Sequence, residues 1–157
     1  FARRLRTIPI LTVVTNAPSI AQSLYRIGAP GMSVVLTGGT RTPSDALVGP
    51  LATSALAKLH LDIVFVGVHG MDEGLGYSTP NLAEAETNAA FIGSARQLVV
   101  LADHTKWGTW GLAQIAPLER ADVVISDDRL ADDARRAFET RPTRLVLAPT
   151  PSAPDRG

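Results

Sequence analysis

Apolar residues in this chain come in short unbroken runs rather than in alternation: Leu11 to Thr15, Met32 to Leu36, Ile63 to Val68, Leu98 to Ala102, Val123 to Ser126 and Arg144 to Leu147. Runs of this length predict strands covered on both faces, as in a parallel sheet packed between helices. The stretches between them carry apolar positions three and four apart, the helical spacing. Helices are expected over 19–27, with Ile20, Ser23, Leu24 and Ile27 on one face, and over 45–59, with Leu47, Leu51, Ala55, Leu56 and Leu59 together. Two more are expected over 82–95 and 130–138. The order is βαβαβαβαβ with a sixth strand, an α/β class with a mostly parallel sheet covered by helices on both faces. Asn81 with Glu84 three residues on signals a capping box for the third helix, and Asp127-Asp128 is placed to cap the fourth. Pro149, Pro151 and Pro154 among small polar residues predict an extended, disordered tail over 149–157.

Length and charge narrow the function classes. A chain of 157 residues suits one domain and is short for two. Lysine plus arginine and aspartate plus glutamate both number 15, so the net charge is zero, and no basic run is present to neutralise a row of phosphates on DNA. The absence of cysteine removes disulfide frameworks and thiolate zinc sites and fits a reducing compartment. No apolar run approaches the roughly 18 residues of a membrane span, and residues 1–6 lack the apolar core of a signal peptide, so the expected setting is the cytoplasm. The opening Phe1-Ala2-Arg3-Arg4-Leu5-Arg6, a basic turn running at once into a strand, reads as part of something longer.

Candidate chemistry concentrates at the predicted strand ends, where open α/β sheets bind ligands. The stretch Gly67-Val68-His69-Gly70-Met71-Asp72-Glu73-Gly74 lets a backbone turn tightly and approach a ligand closely. Its spacing is not the G-x-G-x-x-G of a dinucleotide fingerprint, so a dinucleotide cofactor is not expected. Asp103-His104-Thr105-Lys106 follows the fourth run directly and delivers Asp103 and Lys106 to the same edge, with the lysine as a point charge for a phosphate. Lys106 is one of only two lysines, with Lys58. Thr15-Asn16 after the first run reads either as a ligand contact or as a helix cap. Gly38-Gly39 after the second reads either as a turn or as a set of backbone donors for an anion, with Arg41 just beyond. Glu84 and Glu86 open the third helix, where the dipole alone favours carboxylates; Glu86 with Asp72 would suffice to recognise sugar hydroxyls. His60, His69 and His104 lack ligand spacing, so no metal is expected, and Trp107 and Trp110 either cover a pocket or simply pack.

Taken together, Leu11-Thr12-Val13-Val14-Thr15-Asn16, Leu36-Thr37-Gly38-Gly39, Leu47-Val48-Gly49-Pro50, the stretch from Gly67 to Gly74, Glu84-Ala85-Glu86 and Leu101 to Gly108 resemble, in order, the C-terminal effector-sensing domain of DeoR-type bacterial transcriptional regulators. The resemblance runs over roughly residues 2–147 and gives 1–148 as the sensing domain. It implies a Rossmann-like sheet of the ribose-5-phosphate isomerase and CoA transferase kind with a pocket at its carboxyl edge. It implies a phosphorylated sugar as effector, operator DNA as partner through an N-terminal helix-turn-helix that these residues do not include, and a homo-oligomer. By the same resemblance Thr15, Asn16, Gly38, Gly39, Gly70, Asp72, Glu86, Asp103 and Lys106 fall on or beside ligand-facing positions, with Lys106 on the phosphate and Asp72 and Glu86 on hydroxyls. The Asp-x-Gly-Thr-Thr loop that such regulators carry just upstream of the match is not among these residues, and Asn88 stands where a basic residue is common. A sugar-phosphate isomerase or deaminase of the same fold, with Glu86 or Asp72 as base and Lys106 as electrostatic stabiliser, is the alternative.

Overall fold

A computed structural model describes residues 2–150. Two compact units divide the chain, 1–59 and 60–157.

In the first unit, β1 (Leu11–Thr15) and β2 (Met32–Leu36) pair in parallel, Leu11 opposite Met32 and Thr15 opposite Leu36. The crossover between them is α1 (Pro18–Ile27), with proline in its first turn and a left-handed Gly28 closing it onto the Leu24 carbonyl. Of the face expected to be apolar, Leu24 is fully buried while Ile20 stays 40% exposed.

The helix expected from residue 45 begins later. Residues 40–48 form a hairpin of β3 (Thr40–Arg41) and β4 (Leu47–Val48), antiparallel, and α2 (Pro50–Leu56) follows it. Asp45 sits at φ +65°, Arg41 Nε donates to its carboxylate at 2.7 Å, and the Thr42 amide donates to the Ala46 carbonyl at 2.8 Å. These contacts close a turn where the apolar spacing alone suggests helix, and Pro50 then supplies the first helical position. Ala52 and Leu56 are the buried residues of α2.

In the second unit, β5 (Leu61–Gly67) leads into the hairpin β6 (Gly70–Asp72) and β7 (Gly76–Thr79). Then come α3 (Leu82–Gly93), β8 (Ala95–Leu101), β9 (Ala113–Ala116), β10 (Val123–Asp127), α4 (Asp132–Glu139) and β11 (Arg144–Ala148). β5, β8, β10 and β11 make a four-stranded parallel sheet in the order β11-β10-β8-β5, and β6, β7 and β9 make a separate antiparallel one. The class is α/β with a mostly parallel central sheet. Between β8 and β10, where strict alternation would place a helix, the chain instead makes a short 3-10 turn (His104–Lys106), then β9 and a second 3-10 turn (Leu118–Arg120).

In the parallel sheet Val64 pairs with Leu98, and Val66 with Val100, which pairs with Val124; all five are buried. Because paired residues share a face, these form one continuous core face. The central strand β8 buries three residues in succession, Leu98, Val99 and Val100, as an unbroken apolar run predicts. β5 does not. Among the described residues it pairs with β8 alone, and its alternate residues Ile63 and Phe65 are 47% and 39% exposed.

The Asn81 cap forms, its side chain accepting the Glu84 amide at 3.1 Å. The cap expected from Asp127-Asp128 does not. The N-cap of α4 is Ala131 with no side-chain hydrogen bond, Asp127 is engaged by His104 and Arg129, and Asp128 accepts from the Thr150 amide at 3.2 Å. The expected tail lies outside the described residues from 151 on; before it, β11 runs to Ala148.

Candidate functional site

In the first unit the structure brings Thr15, Asn16, Gly38 and Gly39 to the carboxyl ends of β1 and β2 and gives most of them local work. Thr15 is buried, its hydroxyl accepts the Ala17 amide at 3.1 Å, and its carbonyl receives the Thr37 amide at 3.1 Å. The Asn16 side chain donates to the Leu47 carbonyl at 3.1 Å while its own carbonyl accepts the Leu47 amide at 2.7 Å, so it ties β1 to the hairpin. Gly39, at φ +120°, faces the Val48 carbonyl, which a Cβ would meet at 2.4 Å. A side chain is excluded there by the protein's own backbone. Gly38 has a positive φ and open space around it. Arg41 serves the turn through Asp45.

In the second unit Gly70, Asp72, Asp103 and Lys106 come onto two adjoining segments. The Gly108 amide donates to the Met71 carbonyl at 2.8 Å and Met71 bridges Trp107, which lays the β6–β7 hairpin beside the turn after β8. At the crossing, a Cβ on Gly70 would stand 1.9 Å from the Thr109 carbonyl oxygen, so Gly70 is glycine because the chain passes over itself. One oxygen of Asp72 accepts the Gly74 and Leu75 amides at 2.9 and 3.0 Å, closing the hairpin turn. Its other oxygen makes no hydrogen bond among the described residues. Glu86 lies in α3, exposed, with no hydrogen bond or ion pair among the described residues.

The turn is fastened at each residue, Lys106 through its backbone alone, its amide donating to the Asp103 carbonyl at 3.0 Å. Asp103 caps it, accepting the Thr105 amide at 2.9 Å and the Thr105 hydroxyl, and these bonds, with the Lys106 charge nearby, hold its carboxyl below the ordinary range. His104 gives both its amide and its ring Nδ1 to Asp127, at 2.8 and 2.9 Å. Trp107 donates its indole N–H to Asp133 at 3.0 Å and lies 6.0 Å from the ring of Phe138. Between them the Lys106 ammonium makes no hydrogen bond or ion pair among the described residues, and the residue is half-buried. A fixed backbone carrying a cation free of hydrogen bonds and salt bridges among the described residues, at the carboxyl edge of a parallel sheet, is suited to bind an anion.

Asp127 and Asp133 were not readable as site residues in the sequence. Their partners lie 23 and 26 residues away, and only the position of Asp127 at the end of an apolar run hinted at the sheet edge. Asp127 is held far below the ordinary carboxyl range, first by the His104 amide and then by the His104 ring and Arg129. Ser126, beside it, has a buried hydroxyl without a hydrogen-bond partner among the described residues. Burial pushes the Tyr77 phenol well up, and its hydroxyl donates to the Leu118 carbonyl at 3.3 Å within the core. Among the described residues no cluster of three or more His, Cys, Asp or Glu is arranged to hold a metal, and no helix is long and apolar enough to cross a membrane.

The chain is similar to proteins of known family. It is 34% identical over 146 residues to the HTH-type transcriptional regulator GlpR of Haloferax volcanii, covering 92% of this chain and 56% of that protein. It is 29% identical over 147 residues to a putative aga operon transcriptional repressor of Escherichia coli O157:H7, covering 93% and 54%. It is 31% identical over 139 residues to the HTH-type transcriptional regulator GolR of Listeria innocua, covering 88% and 54%. The chain thus spans about half the length of the curated relatives it matches. The family model described as the DeoR C terminal sensor domain matches residues 1–128, most of both units, and the chain belongs to that family.

Proposed function

We propose that this domain is the effector sensor of a transcriptional regulator, that its effector is a phosphorylated sugar, and that Lys106 receives the phosphate. The observation that carries the reading is the Lys106 turn: a backbone fastened on both sides of a cation whose ammonium has no hydrogen bond or salt bridge among the described residues. A lysine so placed offers a phosphate three donors without first breaking an ion pair, and the fixed backbone reduces the ordering cost of binding. Asp103 tightens the same turn, and the free oxygen of Asp72 and the exposed carboxylate of Glu86 are the acceptors for hydroxyls. The relatives are named as regulators, one of them as a repressor, and repression is the direction proposed here. DNA contact then belongs to a helix-turn-helix elsewhere in the full protein, acting as a homo-oligomer in the cytoplasm. The effector alters operator affinity only by its difference in affinity for the two DNA-binding states, typically about 1–3 kcal/mol of coupling. No covalent step is involved.

The test is thermal unfolding of the chain against ribose 5-phosphate, glucose 6-phosphate, fructose 1-phosphate and glycerol 3-phosphate, each paired with its unphosphorylated form. A ligand at about 100 times its dissociation constant adds roughly 2.7 kcal/mol, equivalent to about 5–10 °C in a chain of this size. The expected result is a shift with at least one phosphorylated compound and none with its partner. Equal shifts with both forms, or turnover of ribose 5-phosphate by the purified chain, would contradict the sensor reading.

A further inference from the structure

The Lys106 turn is gripped from β10 by the carboxylate of Asp127. Asp127 ends its strand, and β10 pairs directly with β8, the strand that leads into the turn. The ladder continues one residue past β8, with the Ala102 amide donating to the Ile125 carbonyl at 3.1 Å. From there the backbone leaves the sheet, and one Asp127 oxygen takes over, accepting both the His104 amide and the His104 ring. The other oxygen accepts the Arg129 amide at 3.1 Å and its Nε at 3.2 Å. Four donors therefore fix Asp127 itself, and the two from His104 transmit that rigidity to the turn. An ionised carboxylate accepts only, so the ring nitrogen facing it carries a proton and the imidazole is locked in one tautomer.

A carboxylate that grips an anion-binding turn works against the anion unless it is neutralised. Arg129 supplies the neutralisation. We propose that Asp127 is a positioning residue of the anion site: by holding His104 through backbone and ring, it sets the turn that presents Lys106, so that phosphate affinity depends on a side chain acting only through that turn. The inference rests on the assignment of Lys106 as the phosphate-binding lysine. Asp133 supports it from the other side, because its bond to the Trp107 indole anchors the residue that follows Lys106.

The experiment is a double-mutant cycle on Asp127→Ala and Lys106→Ala, read by titration with inorganic phosphate and by amide hydrogen exchange over residues 103–109. Asp127→Ala is expected to weaken phosphate binding roughly tenfold and to speed exchange in the turn but not in β8 or β10. In the Lys106→Ala background the same substitution is expected to cost no further affinity, because the lysine through which it acts is gone. Asp127→Asn, which keeps an acceptor for the His104 amide, is expected to restore most of the binding. His104→Ala removes only the ring half of the grip; it replaces Asp127→Ala in the cycle if that variant does not fold, with a loss of about threefold expected and the same absence of effect on Lys106→Ala. If phosphate does not bind, or Lys106→Ala binds it as well as the wild type, the assignment of Lys106 falls and the inference with it. If Lys106→Ala weakens binding while the Asp127 or His104 substitution is silent, or adds to it in full, the assignment stands and the positioning role is overturned.

Discussion

Replacing Gly70 by alanine would put a methyl group where the chain crosses itself. The added Cβ would stand 1.9 Å from the Thr109 carbonyl oxygen, 2.4 Å from its carbon and 3.0 Å from the Trp110 nitrogen. All three are backbone atoms, so no side chain can swing aside to relieve the overlap. The two segments would have to part by about 1.5 Å to reach the 3.4 Å of ordinary contact. Overpacking of this kind typically costs about 1–3 kcal/mol. Separation also strains the 2.8 Å bond from the Gly108 amide to Met71, adding about 0.5–1.5 kcal/mol if it breaks. The expected loss is therefore about 1.5–4.5 kcal/mol, a fall in the unfolding midpoint of roughly 3–18 °C. Differential scanning calorimetry measures it, with Gly67→Ala as the control: its added Cβ meets nothing within 4 Å, and its midpoint should hold within roughly 0.5 kcal/mol. Amide exchange in Gly70→Ala should rise over residues 105–111. A Gly70→Ala protein as stable as the control, with that loop unchanged, would refute the account of this glycine as a crossing point.

Three further outcomes follow from the same structure. Asn81→Ala removes the cap of α3 and should lower stability by about 0.5–2 kcal/mol in chemical denaturation, with Asn81→Asp close to the wild type. Ser126→Ala deletes a buried hydroxyl that has no partner among the described residues, so its unfolding midpoint should be unchanged or raised; a clear fall would show that the hydroxyl is bonded. Asp127, Asp103 and Asp133 all have carboxyls held below the ordinary value of 3.8, so the stability they contribute is present above about pH 4 and is lost as pH falls towards their native values, that of Asp127 last. Midpoints measured from pH 6 down to pH 2 should therefore fall more steeply in the wild type than in Asp127→Asn.

The apolar runs located all six strands of the two parallel sheets, because an unbroken run of β-branched and aliphatic residues is a local signal that needs no partner to read, even where, as in β5, one face stays exposed. The β3–β4 and β6–β7 hairpins, of two to four residues a strand, were not legible. They are shorter than any periodicity, and Leu47 and Leu51 fit a helical spacing as well as they fit a turn followed by α2. The site was legible in part. Position at a strand end singled out Lys106 and Asp103, and the structure sets them on one turn. The reason for Gly70 depends on residue 109 and is invisible in sequence, and Thr15 and Asn16 read equally as a cap or a contact, while in the structure they bond to Ala17 and Leu47. Asp127 stood beside a helix and looked like its cap; its partner His104 is far off in sequence and becomes visible only once β8 and β10 are paired.

The central claim, that Lys106 receives a phosphate, is tested most directly by calorimetric titration of the wild type and Lys106→Ala with a phosphorylated sugar and with the same sugar lacking phosphate. Hydrogen bonds to charged groups contribute about 1.5–3 kcal/mol, so the wild type should prefer the phosphorylated form and Lys106→Ala should lose roughly 10- to 100-fold of that preference, with little change towards the bare sugar. A phosphate preference that survives the loss of Lys106 intact would contradict the account.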